Sequence, residues 1–106
     1  MKSKELILYI SGRLLDDNTL GATKLNKLLY YIDNISFAEL GNQVTNFTYI
    51  KQNQGPTPSP AEFLPLRDNM LAAGELGISS VLNFTGYYTQ KPVANRFADI
   101  TLFSPQ

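Results

Sequence analysis

The chain of 106 residues contains no cysteine, no histidine and no tryptophan. Without cysteine there can be neither disulfides nor a thiolate nucleophile, and nothing marks the chain as built for an oxidising compartment. Without histidine the commonest general base and the commonest metal ligand are both missing, so no zinc site and no cofactor is expected. Charge of a single sign is also lacking: nine basic residues balance nine acidic ones, leaving no net field to draw the chain to phosphate backbones or anionic lipid. Long hydrophobic runs are absent as well. The apolar stretch in "MKSKELILYISGRLL" is interrupted by Ser11, Gly12 and Arg13, which makes it neither a signal-peptide core nor a membrane span. A cytoplasmic protein is expected.

What is present is a globular composition, 43% hydrophobic and 17% charged, in a length that suits one domain over residues 1–106. A first helix is expected from about Lys4 to Leu15 with Ser3 as its cap; Leu6, Ile7, Ile10 and Leu14 share one face, and Leu8 and Leu15 imply cover on another side. "DDNTLGA" breaks the periodicity with turn formers, and a second helix follows from about Thr23 to Leu40, with Gly41 placed for a left-handed C-terminal cap. Val44 to Lys51 alternates β-branched and aromatic residues and reads as a strand. "QNQGPTPSP" is held extended by its prolines. In "SPAE", Ser59 and Glu62 form a capping box with Pro60 in the first helical turn, opening a third helix whose start Pro65 should distort and whose end falls at Gly74 or Gly77. Ile78 to Tyr88 alternates as a strand with Gly86 as a bulge, and "TQKP" is the expected turn into a short strand over Val93 to Phe97. The tail "FSPQ" carries a further cap signal at Ser104 and Pro105. The expected architecture is α+β: three helices packed on a small, mainly antiparallel sheet, in the order helix, helix, strand, helix, strand, strand.

The second helix holds the strongest signal. With Leu25 at zero and 100° per residue, Leu28, Leu29, Ile32, Ile35, Ser36 and Leu40 fall in an arc of roughly 140°, a core stripe interrupted by Glu39. Tyr30 and Phe37 lie on one flank and Tyr31 with Ala38 on the other, leaving Lys27 and Asn34 as the polar back. Two readings stand. Either the helix is central and the aromatics complete its packing, with tyrosine hydroxyls reaching water, or Tyr30, Tyr31 or Phe37 makes an exposed aromatic patch that anchors a protein partner.

"KLNKLLYYIDNISFAELG", then a strand, then "QGPTPSPAEF", resembles the opening of the Panacea domain, the SocA-like antitoxin domain of bacteria and their phages. Lys24, Leu25, Lys27, Leu28, Leu29, Tyr30 and Tyr31 match the family's K-L-x-K-L-L-Y-aromatic helix, and Gly55, Pro56 and Pro58 match its glycine-proline segment. Tyr49 or Phe47 stands where the family usually has tryptophan, Thr57 replaces a valine, and the family's C-terminal helices are missing from this chain. The resemblance implies an antitoxin that neutralises a cognate toxin by direct binding, in some relatives with delivery to a protease or a chaperone link, in prophage and mobile-element settings.

No other chemistry competes. Asp16 and Asp17 are the one adjacent carboxylate pair and sit in a turn, Asp33, Glu39, Glu62 and Asp68 are scattered, and no glycine-rich phosphate loop occurs. Lys24 and Lys27 with Arg13, and Lys91 with Arg96 on a hairpin, are the thin basic signals that a phage-associated DNA-binding regulator would use. The favoured expectation is a non-catalytic domain that binds a toxin through Tyr30, Tyr31 and Phe37 on the second helix and Gly55, Pro56 and Pro58 in the loop, with nucleic acid and membrane disfavoured as partners and the oligomeric state open.

Overall fold

The computed structural model describes residues 2–52 and 55–103. Three helices and two antiparallel hairpins follow in the order α1 (Lys2–Arg13), α2 (Ala22–Leu40), β1 (Tyr49–Ile50), β2 (Thr57–Pro58), α3 (Pro60–Ala72), β3 (Leu76–Leu82) and β4 (Tyr88–Ala94), with a closing 3₁₀ turn over Ile100–Phe103. The α+β class and the helix–helix–strand–helix–strand–strand order hold, with β2 as an added short strand. The strands form two separate two-stranded sheets. The expected cap at Ser104 and Pro105 lies outside the described residues.

α1 is covered on more than one side, since Leu6, Ile7, Leu8 and Ile10 are all buried. Ser3 does not cap it from outside. The helix starts two residues earlier than expected, at Lys2, and the buried Ser3 hydroxyl donates to the Thr45 carbonyl at 2.9 Å, tying α1 to the segment before β1. α2 ends as its glycine implies: Gly41 adopts φ 80° and donates to the Phe37 carbonyl. The core joins Leu25 and Leu29 of α2 to Leu20, Phe47, Phe63, Met70 and Leu76. Each fully buried residue of this kind contributes about 1.5–3 kcal/mol.

The expected strand over Val44 to Lys51 shrinks to two residues, for a reason visible in its hydrogen bonds. The Val44 and Thr45 amides are spent on Asp33, the Phe47 amide on the Thr45 hydroxyl and the Thr48 amide on Glu62. Asn46, at φ 61°, also breaks the extended run. Only Tyr49 and Ile50 remain to pair with Pro58 and Thr57. The capping box is likewise redrawn: Ser59 makes no side-chain cap bond, its carbonyl accepts from Glu62 and Phe63, and the Glu62 carboxylate reaches across to Thr48 at 2.7 Å. α3 runs through Pro65 and stops before Gly74, which takes φ 75°.

The second hairpin also differs from expectation. Its turn lies at Asn83–Tyr87 and not at "TQKP", which belongs to β4. The Asn83 side chain organises this turn by accepting from Thr85, while the Asn83 amide donates to the Tyr87 carbonyl and Gly86 sits at φ 90°. Gly86 is thus a turn residue, not a bulge.

Candidate protein-binding face

The organising group of the α2 side is Asp33, fully buried on the helix. Its Oδ1 accepts from the Val44 and Thr45 amides at 2.9 and 3.0 Å, and its Oδ2 accepts from the Thr45 and Tyr49 hydroxyls, both at 2.5 Å. Four donors converging on two acceptor oxygens match the capacity of a carboxylate, so a group that would be costly to bury alone is satisfied. Burial first, and the Asp33 carboxylate beside it, push the Tyr49 phenol above its ordinary range. Tyr30 packs edge-on against Tyr49, ring centroids 5.1 Å apart, and Phe47 packs against Phe63 at 6.1 Å. The Tyr30–Tyr49 contact lays β1 and β2 along one flank of α2, and the Phe47–Phe63 contact ties the segment before β1 to α3.

The sequence-expected residues are distributed unevenly around this frame. Tyr30 is half-buried under Tyr49 and Pro58 is buried opposite Tyr49 in the ladder. Gly55, at φ 112°, and Pro56 are half-buried in the approach to β2. Phe37 is 62% exposed on the same flank as Tyr30, two turns further on. Tyr31 is 64% exposed but stands about 120° around the helix from Phe37, so the two exposed rings do not make one patch. The structure therefore gathers Tyr30, Phe37 and the Gly55–Pro58 segment to one side and leaves Tyr31 on the other.

The core stripe is shorter than expected. Leu25 and Leu29 are its buried positions, with Asp33 buried beside them, whereas Ile35 and Leu40 are exposed. Leu28, Ile32, Ser36 and Leu40 instead line an open groove of about 1130 Å³ between α2 and α1, with Leu6 and Leu14 opposite. Asp33 was among the scattered carboxylates in the sequence; its one signal was a carboxylate placed beside the apolar arc, followed by the aromatic Tyr49.

The basic residues are mostly engaged. Lys24 pairs with Asp17, whose carboxyl this contact holds well below the usual range. Lys91 is buried in β4 and donates to the Leu15 carbonyl in the turn after α1. Arg96 binds Glu5 at 2.7 Å and Glu75 at 3.0 Å, and Lys4 reaches Glu75 from the other side. The Arg96 hydrogen bond lowers the Glu5 carboxyl to about 2 against burial that opposes it. The hairpin pair Lys91 and Arg96 is thus engaged by partners within the molecule, where a DNA-reading wing would leave it free.

The model for "Antitoxin SocA-like, Panacea domain" matches residues 25–91, from Leu25 on α2 to Lys91 on β4. The chain belongs to the SocA-like antitoxin, Panacea domain family. This Panacea match contains α2 from Leu25 onward, the first hairpin, α3, β3, β4 as far as Lys91, and the whole Asp33 frame. Enolase-phosphatase E1 of Naegleria gruberi is 28% identical over 107 residues, which cover 96% of this chain and 42% of that protein. The chain thus spans less than half the length of that curated relative. No solved structure matches. Among the described residues no helix is long and apolar enough to cross a membrane, and no group of three or more acidic side chains is placed to hold a metal ion.

Proposed function

We propose that this Panacea domain is a non-catalytic, antitoxin-type binding module that neutralises a cognate toxin by covering it. Family membership over residues 25–91 is the observation that carries the reading. The binding face is the α2 flank holding Tyr30 and Phe37 together with the Gly55, Pro56 and Pro58 segment, with Tyr31 as a separate contact on the far flank. An exposed phenylalanine on the helix flank against which the proline-ordered segment packs offers apolar area at low ordering cost, which is what a protein partner rewards. The protein acts in the cytoplasm, in a phage or mobile-element setting, and any protease or chaperone link acts on the complex rather than through chemistry of this chain. Against a DNA-binding regulator stand the balanced charge and the internal engagement of Lys91 and Arg96.

The test is co-expression of the chain with the product of its neighbouring reading frame. Wild type is expected to rescue growth and to co-purify with that product. Phe37→Ala and Tyr31→Ala should weaken capture while leaving denaturant unfolding within about 0.5 kcal/mol of wild type. Rescue that persists unchanged in the double variant would move the interface elsewhere, and salt-sensitive binding to random duplex DNA would restore the regulator.

A further inference from the structure

The β3–β4 hairpin has two outer edges, and they are not alike. The bonds from Asn83 to the Tyr87 carbonyl and from Asn95 to the Glu75 carbonyl fix which positions face inward across the ladder. By the alternation of an antiparallel pair, the amides and carbonyls of Ile78, Ser80 and Leu82 therefore point outward from β3, and those of Tyr88, Gln90 and Pro92 point outward from β4. On β4 the outward set is blunted: Pro92 has no N–H, and the strand packs against α1 and α2. On β3 the outward set is complete, and no backbone hydrogen bond from Ile78, Ser80 or Leu82 to other elements is found among the described residues. From Leu76 to Gln90 no charged residue occurs, so the device by which natural edge strands usually repel other strands is missing.

The side chains on this edge are self-matching. Ile78, Ser80 and Leu82 share one face of β3, and all three are exposed. If a second copy pairs antiparallel across a two-fold axis through Ser80, Ile78 of each copy falls opposite Leu82 of the other, and the two Ser80 residues fall opposite each other with hydroxyls able to bond. Centring the axis one residue to either side sets an apolar residue against serine. The same pairing brings each hairpin tip, with Phe84 88% exposed, toward the base of the other copy's hairpin. A strand edge that is complete in donors, free of charge, and apolar opposite apolar only in its own antiparallel image is fitted to itself.

We propose that β3 is a homodimer interface in which two copies join edge to edge, antiparallel about Ser80, into one four-stranded sheet. This surface is separate from the α2 flank, and the proposal does not rest on the antitoxin reading.

The test uses the full chain, whose lack of cysteine makes single-cysteine variants unambiguous. Sedimentation equilibrium should show a reversible dimer of wild type. Ser80→Lys, which sets two ammonium groups against each other across the axis, should weaken it roughly a hundredfold while circular dichroism and thermal unfolding stay those of the monomer. Mixing Ser80→Lys with Ser80→Glu chains should restore a dimer containing one of each. Under mild oxidation Ser80→Cys should cross-link, because directly paired residues stand about 5.5 Å apart at Cα, within disulfide reach, while Ser79→Cys, two residues out of register with its own copy, should not. A wild type that stays monomeric at its solubility limit overturns the proposal. So does a dimer that Ser80→Lys leaves intact, or one in which Ser79→Cys cross-links as well as Ser80→Cys.

Discussion

The two hairpins of this domain make opposite use of their backbones. β1–β2 has two residues per strand, yet it is fastened to α2 by a fully buried carboxylate and the edge-on Tyr30–Tyr49 contact, while Phe47, just before β1, packs edge-on against Phe63 of α3. β3–β4 has seven paired residues in perfect register, yet its distal half carries Leu82, Phe84, Tyr87 and Tyr88 exposed to water. Regular hydrogen bonding and tertiary anchoring are therefore separate quantities. A long ladder satisfies its own amides and needs little from the core, whereas a short irregular segment must find side-chain acceptors, and finds them in Asp33 and Glu62. The first hairpin is a fixed part of the body; the second is an arm that rests on α1 and α2 through β4, fastened at its base by Glu5, Arg96 and Glu75 and midway along by Lys91.

The sharpest way to break the contrast is Asp33→Ala. It leaves two amides and two hydroxyls without their acceptor in the core and is expected to cost about 3–5 kcal/mol, a large share of the stability of a domain this size, read by urea denaturation. Next is acid. The folded Glu5 carboxyl lies near 2 against an ordinary 4.5, so as pH falls the unfolded chain takes up its proton first. The stability from this contact is complete above about pH 5 and drains away toward pH 2. Because Arg96 is partly open to water, the loss is expected to be about 2 kcal/mol, and Glu5→Gln should flatten that part of the pH profile. Third, Gly86→Ala places a β-carbon on a residue at φ 90° in the turn of the arm and should cost about 1–2 kcal/mol by thermal unfolding. Smallest is Phe84→Ser at the tip, expected to change the stability of the dilute monomer by less than about 0.5 kcal/mol.

Helices were the most legible part of the sequence, because a 3.6-residue period and a terminal glycine are local signals; α2 and its Gly41 cap stand within a residue of expectation. The α2 flank aromatics were legible as flanks, but their exposure was not. Whether Tyr30 is covered depends on where a hairpin some twenty residues later lies down, and that is decided by Asp33. A single aspartate on a helix has no local signature of being buried; its role exists only once Val44, Thr45 and Tyr49 fold back onto it. The same non-local bonding explains why the strand over Val44 to Lys51 was overestimated. The turn of the second hairpin was misplaced because "TQKP" carries a proline, a turn signal, whereas Pro92 in fact occupies an outward-facing position where a strand tolerates it. Lys91 and Arg96, the hairpin charges that a DNA-binding regulator would use, instead fasten the hairpin to the rest of the molecule, through the Leu15 carbonyl and through Glu5 and Glu75.

Native-state hydrogen exchange, followed amide by amide in dilute wild-type protein, tests the contrast most directly. The Val44 and Thr45 amides, although outside any strand, should exchange only through global unfolding, at rates matching those of Leu29, while the outward amides of Ile78, Ser80 and Leu82 in the regular ladder exchange orders of magnitude faster. Val44 and Thr45 exchanging as rapidly as the Asn83–Tyr87 turn would show that Asp33 does not lock the first hairpin to α2, and the binding face built on that lock would fall with it.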